Sequence, residues 1–315
     1  MIKHLLSLLL LTSFISGPCF ANAPSSARLA IVIDDLGNRL QAGLNAIALP
    51  ADVTFAVMPH RKHSKRLAQR AARLGKDVIL HAPMSTINGL KLGPGALNEA
   101  LSESEFKTKL AFSLESIPFA KGMNNHMGSQ LTTNPVAMMW VMEVLKEKQL
   151  FFLDSRTSAK SVGFTTAQTM GLPSASRDIF LDNEINIEHI HRQFKKAIAV
   201  AEKYGSAIAI GHPYKTTISY LEHVLPQLTG THISVHKISD LLKEGITPRP
   251  DSARESRPAS TPNLDAFIHA YLQTSDLEKK EKMSDLDWVP KWATHHVKKP
   301  LLNFFDFIFI PCHNR

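Results

Sequence analysis

The chain has 315 residues, of which 44% are hydrophobic and 20% charged, so it can bury the core of one large domain or two small ones. The formal net charge of +8 and the pI near 9.4 suit an anionic partner such as an envelope polymer or a membrane surface. We predict no nucleic-acid partner, because the sequence carries no recognisable motif for one.

The first residues predict a signal peptide over 1–21. Lys3 is followed by an apolar stretch, 5–15, and then by small residues up to Ala21. This order is typical of a secretory signal, and the apolar stretch is too short to span a bilayer. We therefore expect a periplasmic or otherwise exported protein. Its mature form would retain Cys312 as its only cysteine, which excludes an intramolecular disulfide.

Strands and helices are predicted to alternate between residues 28 and 245. The apolar and β-branched runs predict strands at 28–33, 53–58, 77–80, 119–123, 150–153, 178–181, 206–210 and 232–235. Helical spacing and capping residues predict helices at 38–49, 64–74, 102–115, 134–148, 167–171, 187–204, 217–228 and 239–243. This alternation predicts parallel βαβ units of an α/β protein closed into a barrel, with a doubly wound open sheet as the alternative.

The composition changes after the predicted barrel domain, 28–245. Residues 246–263 are rich in Pro, Ser and Arg, which predicts a disordered linker. The extension, 264–315, has an amphipathic pattern at 264–277 and an apolar run at 301–310 that is too short to span a membrane. Contact with a membrane surface or a protein partner is one hypothesis for this extension, and a poorly ordered tail without a role is the other.

Polar side chains follow the apolar runs of several predicted strands. They are Asp34, Asp35, His81, His126, Asp154 and His212. In a parallel sheet the carboxyl ends of the strands meet at one edge, so we expect these side chains to lie close together. The adjacent carboxylates Asp34 and Asp35 need a cation or a shared proton at the edge of an apolar layer. They predict a divalent-metal site, with an exposed Asp-Asp-x-Gly turn as the alternative.

Five segments together resemble the divergent polysaccharide deacetylase family. They are IVIDD at 31–35, VILHAPM at 78–84, NNHMGS at 124–129, FFLDS at 151–155 and AIGHP at 209–213. The resemblance covers roughly residues 28–243. It implies an irregular (β/α) barrel of about seven parallel strands, of the carbohydrate esterase type, with a zinc-like metal at the carboxyl ends of the strands.

The resemblance also implies roles for the strand-end residues. In the better-known polysaccharide deacetylases the first motif supplies a catalytic base and then a metal ligand, which correspond here to Asp34 and Asp35. The second motif supplies two histidines separated by three residues, whereas this chain has only His81 there. The nearest replacement is His126, one strand further on. A carboxylate and two imidazoles suit zinc and leave a position open for water.

The remaining candidates complete this reading. His212 would protonate the leaving amine. Asp154 would orient His212 or another ligand, or it would cap the turn that follows its strand. Three residues around the fourth strand either hydrogen-bond sugar hydroxyls or shape the loop around His126: Asn124, Asn125 and Ser129.

The metal-like cluster, the export signal and the resemblance together predict an exported N-deacetylase acting on amino sugars of an envelope polysaccharide such as peptidoglycan. A metal-activated water would attack the acetamide carbonyl, and Asp34 would take up the proton of that water. The alternative is a catalytically weak or inactive envelope protein that keeps the metal and the glycan cleft and acts through partners. The missing second-motif histidine and the C-terminal extension favour this alternative.

Overall fold

A parallel sheet of nine strands runs through residues 26–246, which are the residues that the computed structural model describes. The strands are β1 (Ala27–Leu36), β2 (Thr54–Val57), β3 (Asp77–Met84), β4 (Ala120–Met127), β5 (Phe151–Asp154), β6 (Ser174–Ser176), β7 (Ile179–Phe180), β8 (Ser206–Gly211) and β9 (Ile233–Val235). The helices are α1 (Leu40–Ile47), α2 (Ser64–Arg73), α3 (Glu103–Glu115), α4 (Pro135–Glu147), α5 (Gly163–Thr169), α6 (Ile187–Tyr204), α7 (Lys215–Val224) and α8 (Ile238–Glu244).

The sheet curls into an irregular barrel. Its strand order is β6-β5-β4-β3-β2-β1-β8-β7, with β9 paired to the first residues of β1, and every pair is parallel. The two ends of this order, β6 and β7, follow each other closely in the chain. Between them, the amide of Arg177 donates to Asp154 O of β5. The amide of Asp178 donates to Ile208 O of β8, so residues 177–178 bridge the gap without a strand pair.

The predicted barrel of parallel strands is confirmed, with differences at the strand ends. β6 was not predicted, because Ser174, Ala175 and Ser176 form no apolar run. β3 and β4 continue beyond their predicted ends to Met84 and Met127, so both strands carry the site residues within the sheet. The helix starts follow their capping residues: Ser102 and Glu105 form the capping box of α3, and the Asn134 side chain accepts from two backbone amides of α4.

Strand side chains alternate between two apolar layers. One layer lies inside the barrel and includes Ala30, Val32, Ile79, Phe151, Leu153, Ile208 and Ile210. The other layer packs beneath the surrounding helices and includes Leu29, Ile31, Ile33, Leu80, Phe152, Leu181 and Ala209. This period of two follows from the pleat of the strands, and it determines which residue at each strand end faces the barrel mouth.

The short helix α8 closes the amino end of the barrel. Its Ile238 and Leu241 are fully buried in the inner layer. The backbone amide of Ser239 donates to the carboxylate of Asp77 at the start of β3, at 2.9 Å. Arg28, near the start of β1, pairs with Glu244 at 2.7 Å. The two ends of the described chain therefore lie at the amino end of the barrel, away from the carboxyl ends of the strands.

Several predictions concern residues outside 26–246. The signal peptide predicted over 1–21, the linker over 246–263 apart from its first residue, and the extension over 264–315 all lie outside the described residues. Within 26–246, the structure contains no helix with both the length and the apolar character needed to cross a membrane.

Removing the apolar plug of α8 tests the role of this helix. Leu241→Ala leaves a cavity in the inner layer, so we expect the free energy of unfolding in urea to fall by about 2 to 5 kcal/mol. Lys243→Ala, on the exposed side of the same helix, is the control and should change it by less than about 0.5 kcal/mol. Equal effects of the two substitutions would show that α8 does not close the core.

Candidate metal and catalytic site

The inward-facing column of residues on several strands ends in a polar side chain at the barrel mouth. On β1, Ala30 and Val32 are followed in the same phase by Asp34. On β3, Ile79 is followed by His81, and after β8 the same phase leads from Ile210 to His212. The apolar interior thus ends in a layer of titratable groups. The predicted convergence of these three residues is visible in the structure, where all three line one cleft.

Asp35 joins the same cluster because the backbone of β1 is irregular at this residue. Strict alternation would place it on the outer face of the sheet with Ile33. However, the β1–β2 register shifts between Ile33 and Leu36, and Asp35 adopts a left-handed backbone with φ of 59°. Irregularities of this kind redirect a side chain next to functional sites. The left-handed conformation is unfavourable for a residue with a Cβ and is found where the surrounding structure enforces it.

His126 comes from the neighbouring strand β4. In the β3–β4 ladder, His81 is opposite Asn124, and Pro83 is opposite His126. His126 therefore lies two residues beyond the partner of His81 and on the same face. The two imidazole rings meet edge to face, with their centroids 4.9 Å apart. The second histidine of this site thus lies on the strand next to that of His81. In the second motif of the better-known polysaccharide deacetylases, by contrast, both histidines belong to one turn.

Three ligand atoms converge in this cluster. Asp35 Oδ1 lies 2.9 Å from His126 Nδ1 and 3.2 Å from His81 Nε2, and the two ring nitrogens are 3.1 Å apart. Ligands at 2.0–2.1 Å in a tetrahedral zinc site are about 3.3 Å apart, so this triangle has the dimensions of one face of such a site. Asp35 Oδ1 is buried, and within residues 26–246 neither of these close ring nitrogens is well aligned to donate a hydrogen bond to it. The donor set therefore fits a divalent metal, and one carboxylate with two imidazoles suits zinc.

The electrostatics of the cluster favour a cation. Burial would raise the pKa of Asp35, but the attraction of the His126 and His81 rings outweighs it and holds this pKa well below its ordinary value. Burial would lower the pKa of His81, but the carboxylates of Asp34 and Asp35 reverse this effect and raise it. Positive charge is thus stabilised at the point where the ligand atoms meet.

Asp34 lies beside the three ligand atoms and has a different environment from Asp35. It is 2% exposed, and its Oδ1 accepts a hydrogen bond of 2.9 Å from Asn124 Nδ2. Its pKa is raised by burial, against the opposing effects of His81, His212 and the Asn124 hydrogen bond. A carboxyl group with a raised pKa is suited to taking up a proton near neutral pH.

His212 is held by a carboxylate that sequence analysis did not assign. Asp182 Oδ1 is 2.9 Å from His212 Nδ1, and Asp182 Oδ2 accepts from the His212 backbone amide and from Thr217 Oγ1. Burial would lower the pKa of His212, but the buried carboxylate of Asp182 outweighs this and raises it to about 10. The imidazole is therefore protonated at neutral pH. Its ring is stacked on that of Phe180 at a centroid distance of 6.3 Å, and the tilted ring of Tyr214 is 5.4 Å away.

The structure corrects the prediction that Asp154 orients His212. Asp154 Oδ1 accepts from the Arg156 amide, and Oδ2 accepts from Ser161 Oγ and the Phe164 amide. These contacts cap the loop that leads into α5, which is the alternative considered for this residue. The reason is the alternation along β5, where Asp154 follows the phase of the outward-facing Phe152.

The three polar residues predicted around β4 occupy different positions. Asn124 is completely buried and bonds to both Asp34 and His81. Asn125 accepts from the Ser155 amide and donates to Met127 O, so it shapes the turn after β4. The hydroxyl of Ser129 accepts from the amide of Ile87, which joins this turn to the loop after β3. Asn125 and Ser129 line the cleft as well.

The cleft above these residues has a volume of about 320 Å³. Beyond the titratable cluster its walls combine uncharged polar side chains with apolar ones. The polar ones are Thr86, Asn88, Asn125, Ser129, Ser155, Thr157 and Asn183. The apolar and aromatic ones are Leu90, Met127, Phe180, Ile185 and Tyr214. Amides and hydroxyls beside apolar surfaces suit a neutral, hydroxyl-bearing ligand.

Sequence reasoning missed Asp182, Ser155 and Tyr214 as cleft residues. Asp182 directly follows a predicted strand and lies two residues after the inward-facing Phe180. The alternation of side chains along the strand could therefore have identified it. Ser155 likewise follows Leu153 of the inner layer. Tyr214 immediately follows the His212-Pro213 pair and belongs to a loop, so no strand pattern identifies it.

Metal binding tests the ligand cluster directly. We expect the purified protein to bind zinc at close to one equivalent, and His126→Ala to weaken this binding at least tenfold, because one of three ligand atoms is removed. His223→Ala, on α7, is the control histidine and should bind like the wild type. Measurement is by competition with a chromophoric chelator and by elemental analysis. Unchanged zinc affinity in His126→Ala would exclude His126 as a ligand.

Because of the Asp182–His212 pair, we expect the free energy of unfolding to depend on pH. A histidine with a higher pKa in the folded than in the unfolded state stabilises the fold while it is protonated. The contribution of His212 is therefore complete below its ordinary pKa of 6.5 and is lost as the pH rises toward about 10. We expect Asp182→Asn to lower the free energy of unfolding of the metal-free protein most at acidic pH and least near its alkaline limit. A pH-independent loss in urea unfolding would contradict this. Asp240→Asn serves as the control, because Asp240 is only partly buried and pairs with lysines, not with a histidine.

Comparison with known proteins agrees with the motifs. Residues 31–242 match the family described as divergent polysaccharide deacetylase. An uncharacterized protein of Haemophilus influenzae is 40% identical over 204 residues, which are 65% of this chain and 73% of that protein. The uncharacterized protein YibQ of Escherichia coli is 36% identical over 219 residues, which are 70% of this chain and 68% of that protein.

The fold is similar to the crystal structure of an uncharacterized protein from Agrobacterium tumefaciens. The TM-score is 0.66 and the sequence identity 25%, and the match covers 70% of this chain and 91% of that one. The resemblance predicted from five short segments is thereby confirmed, and the chain belongs to the divergent polysaccharide deacetylase family.

Proposed function

We propose that this protein is an exported, metal-dependent hydrolase that removes acetyl groups from amino sugars of an envelope polysaccharide of the peptidoglycan type. The observation that carries the proposal is the triangle of ligand atoms from Asp35, His81 and His126, with Asp34 and His212 lining the same cleft. Membership of the family supports the reaction class, and the sequence of residues 1–21 supports the export.

A divalent metal bound by the three ligand atoms supplies Lewis-acid activation of a water molecule and of the acetamide carbonyl. The chain's own residues then have to manage two protons. One leaves the attacking water, and the other must reach the amine nitrogen as its bond to the acetyl carbon breaks. Water and the acetamide are thereby converted to acetate and a free amino sugar.

Asp34 takes the first proton in this scheme. Its carboxylate is buried beside the ligand atoms, and the hydrogen bond from Asn124 leaves Oδ2 as the oxygen available to the cleft. Because burial raises the pKa of Asp34, the group accepts a proton more readily than an exposed aspartate does. Asp35, directly next to it, is held ionised by the two imidazoles and serves as a ligand.

His212 delivers the second proton. Asp182 holds the Nδ1 side of the ring, so that Nε2 is the nitrogen available for donation. The pKa of about 10 keeps the imidazole protonated at neutral pH, which is the state required of a general acid. The stacked ring of Phe180 and the tilted ring of Tyr214 restrict its orientation. The cleft walls, with their uncharged polar and apolar side chains, support an N-acetylated sugar as the ligand.

Asp34→Asn separates metal binding from turnover. In the zinc-loaded protein we expect it to lower kcat for acetate release from N-acetylglucosamine oligomers or peptidoglycan by about 100-fold or more, because the proton acceptor is removed. Zinc content should remain that of the wild type. The exposed Asp52→Asn is the matched control and should retain full activity.

The same assay decides between an enzyme and a binding protein. Acetate release by the wild type that Asp34→Asn abolishes supports the hydrolase. A wild type that holds zinc and binds these glycans without releasing acetate would overturn the proposal, and the chain would then be a metal- and glycan-binding envelope protein.

A further inference from the structure

One buried amide connects the two halves of the site. Asn124 is 0% exposed and lies on β4 directly opposite His81 in the β3–β4 ladder. Its side chain makes three hydrogen bonds: to Asp34 Oδ1 at 2.9 Å, to Ser155 Oγ at 3.1 Å and to His81 Nδ1 at 2.7 Å. Asn124 therefore contacts both the proposed base and a proposed metal ligand.

The chemistry of these partners determines how the amide is turned. The amide NH₂ faces Asp34 Oδ1 and Ser155 Oγ and donates to both oxygens. The amide oxygen then faces His81, and a carbonyl oxygen can only accept. His81 Nδ1 must therefore carry a proton, which leaves the lone pair of Nε2 for the side where Asp35 Oδ1 and His126 Nδ1 lie.

We propose that Asn124 is a positioning residue that acts on both sides of the site at once. Its oxygen fixes the tautomer and the ring orientation of His81, so that Nε2 is the ligating atom. Its NH₂ group holds Asp34 beside that atom. Metal-bound histidines commonly donate their second N–H to a carboxylate or a backbone carbonyl. Here the acceptor is a neutral amide that also donates to the proposed base, so metal binding and the placement of Asp34 depend on the same side chain.

Two substitutions separate the two roles. Asn124→Ala removes both the acceptor for His81 and the donor to Asp34. We expect it to weaken zinc binding by about 10- to 100-fold, the range measured for losing such an acceptor. Asn124→Asp keeps an oxygen to accept from His81 but replaces the donor to Asp34 with a second carboxylate oxygen. We expect it to restore zinc affinity to within about fivefold of the wild type, because the His81 contact is retained.

The control variant is Ser155→Ala. It removes the third partner of the Asn124 amide and leaves both the His81 and the Asp34 contacts in place. Zinc affinity should then stay within about twofold of the wild type, because the His81 acceptor is unchanged. All affinities are measured on the full mature chain by competition with a chromophoric chelator, with zinc as the only added ligand.

Nuclear magnetic resonance on the wild type adds a test of the proposal that does not depend on the folding of any variant. In the zinc-loaded wild type, the ¹⁵N shifts of His81 should show Nε2 bound to the metal and a protonated Nδ1 whose hydrogen exchanges slowly with water. The slow exchange should be lost in Asn124→Ala and retained in Asn124→Asp. Coordination through Nδ1 in the wild type, or wild-type zinc affinity in Asn124→Ala, would overturn the inference.

An activity readout extends the test and rests on the proposed function. In the zinc-loaded protein, Asn124→Asp should lower acetate release at least tenfold while zinc remains bound, because Asp34 has lost its donor and faces another anion. Undiminished acetate release would exclude the role toward Asp34. If the wild type releases no acetate, the proposed function fails, but the zinc affinities and the His81 spectrum still decide whether Asn124 positions that ligand.

Discussion

The alternation of side chains across the barrel strands is the constraint on which the site depends. Inward-facing residues build a dry apolar column, and the next inward position at the carboxyl end of several strands is titratable: Asp34, His81 and His212. These groups lie directly above the apolar side chains of the inner layer, and α8 closes the opposite, amino end of the barrel. Because water is excluded below them, their mutual attractions are stronger than at a surface.

Two adjacent carboxylates illustrate how this environment assigns different roles. Asp34 follows the inward phase, is buried, and has a raised pKa. Asp35 is redirected by a left-handed backbone into contact with two imidazoles, and its pKa is well below the ordinary value. Neighbouring groups whose pKa values are moved in opposite directions characterise sites of acid–base chemistry. The energy needed for the strained conformation of Asp35 must come from the packing around it.

The sequence was sufficient to predict the barrel, the family and the convergence of five strand-end residues, because apolar runs followed by polar residues are local signals. These residues are Asp34, Asp35, His81, His126 and His212. The sequence was not sufficient to show which of two carboxylates, Asp154 or Asp182, contacts His212. The run Phe151-Phe152-Leu153 is apolar on both faces of β5, so its inward phase cannot be read from residue types. Only the packing shows that Leu153 points inward and Asp154 outward. The bond between Asn124 and His81 also requires the strand register, which no local pattern contains.

That register has a consequence for the stability of the site. A pair of histidines within one loop would keep its spacing if neighbouring strands shifted. Here His81 and His126 belong to different strands, and a slip of one residue between β3 and β4 would turn one of them to the opposite face. It would also separate His81 from Asn124. Binding of the proposed metal would therefore be thermodynamically linked to correct pairing of β3 with β4. A metal bound by both histidines would stabilise this strand pair, and the pairing would in turn hold the two ligands in place.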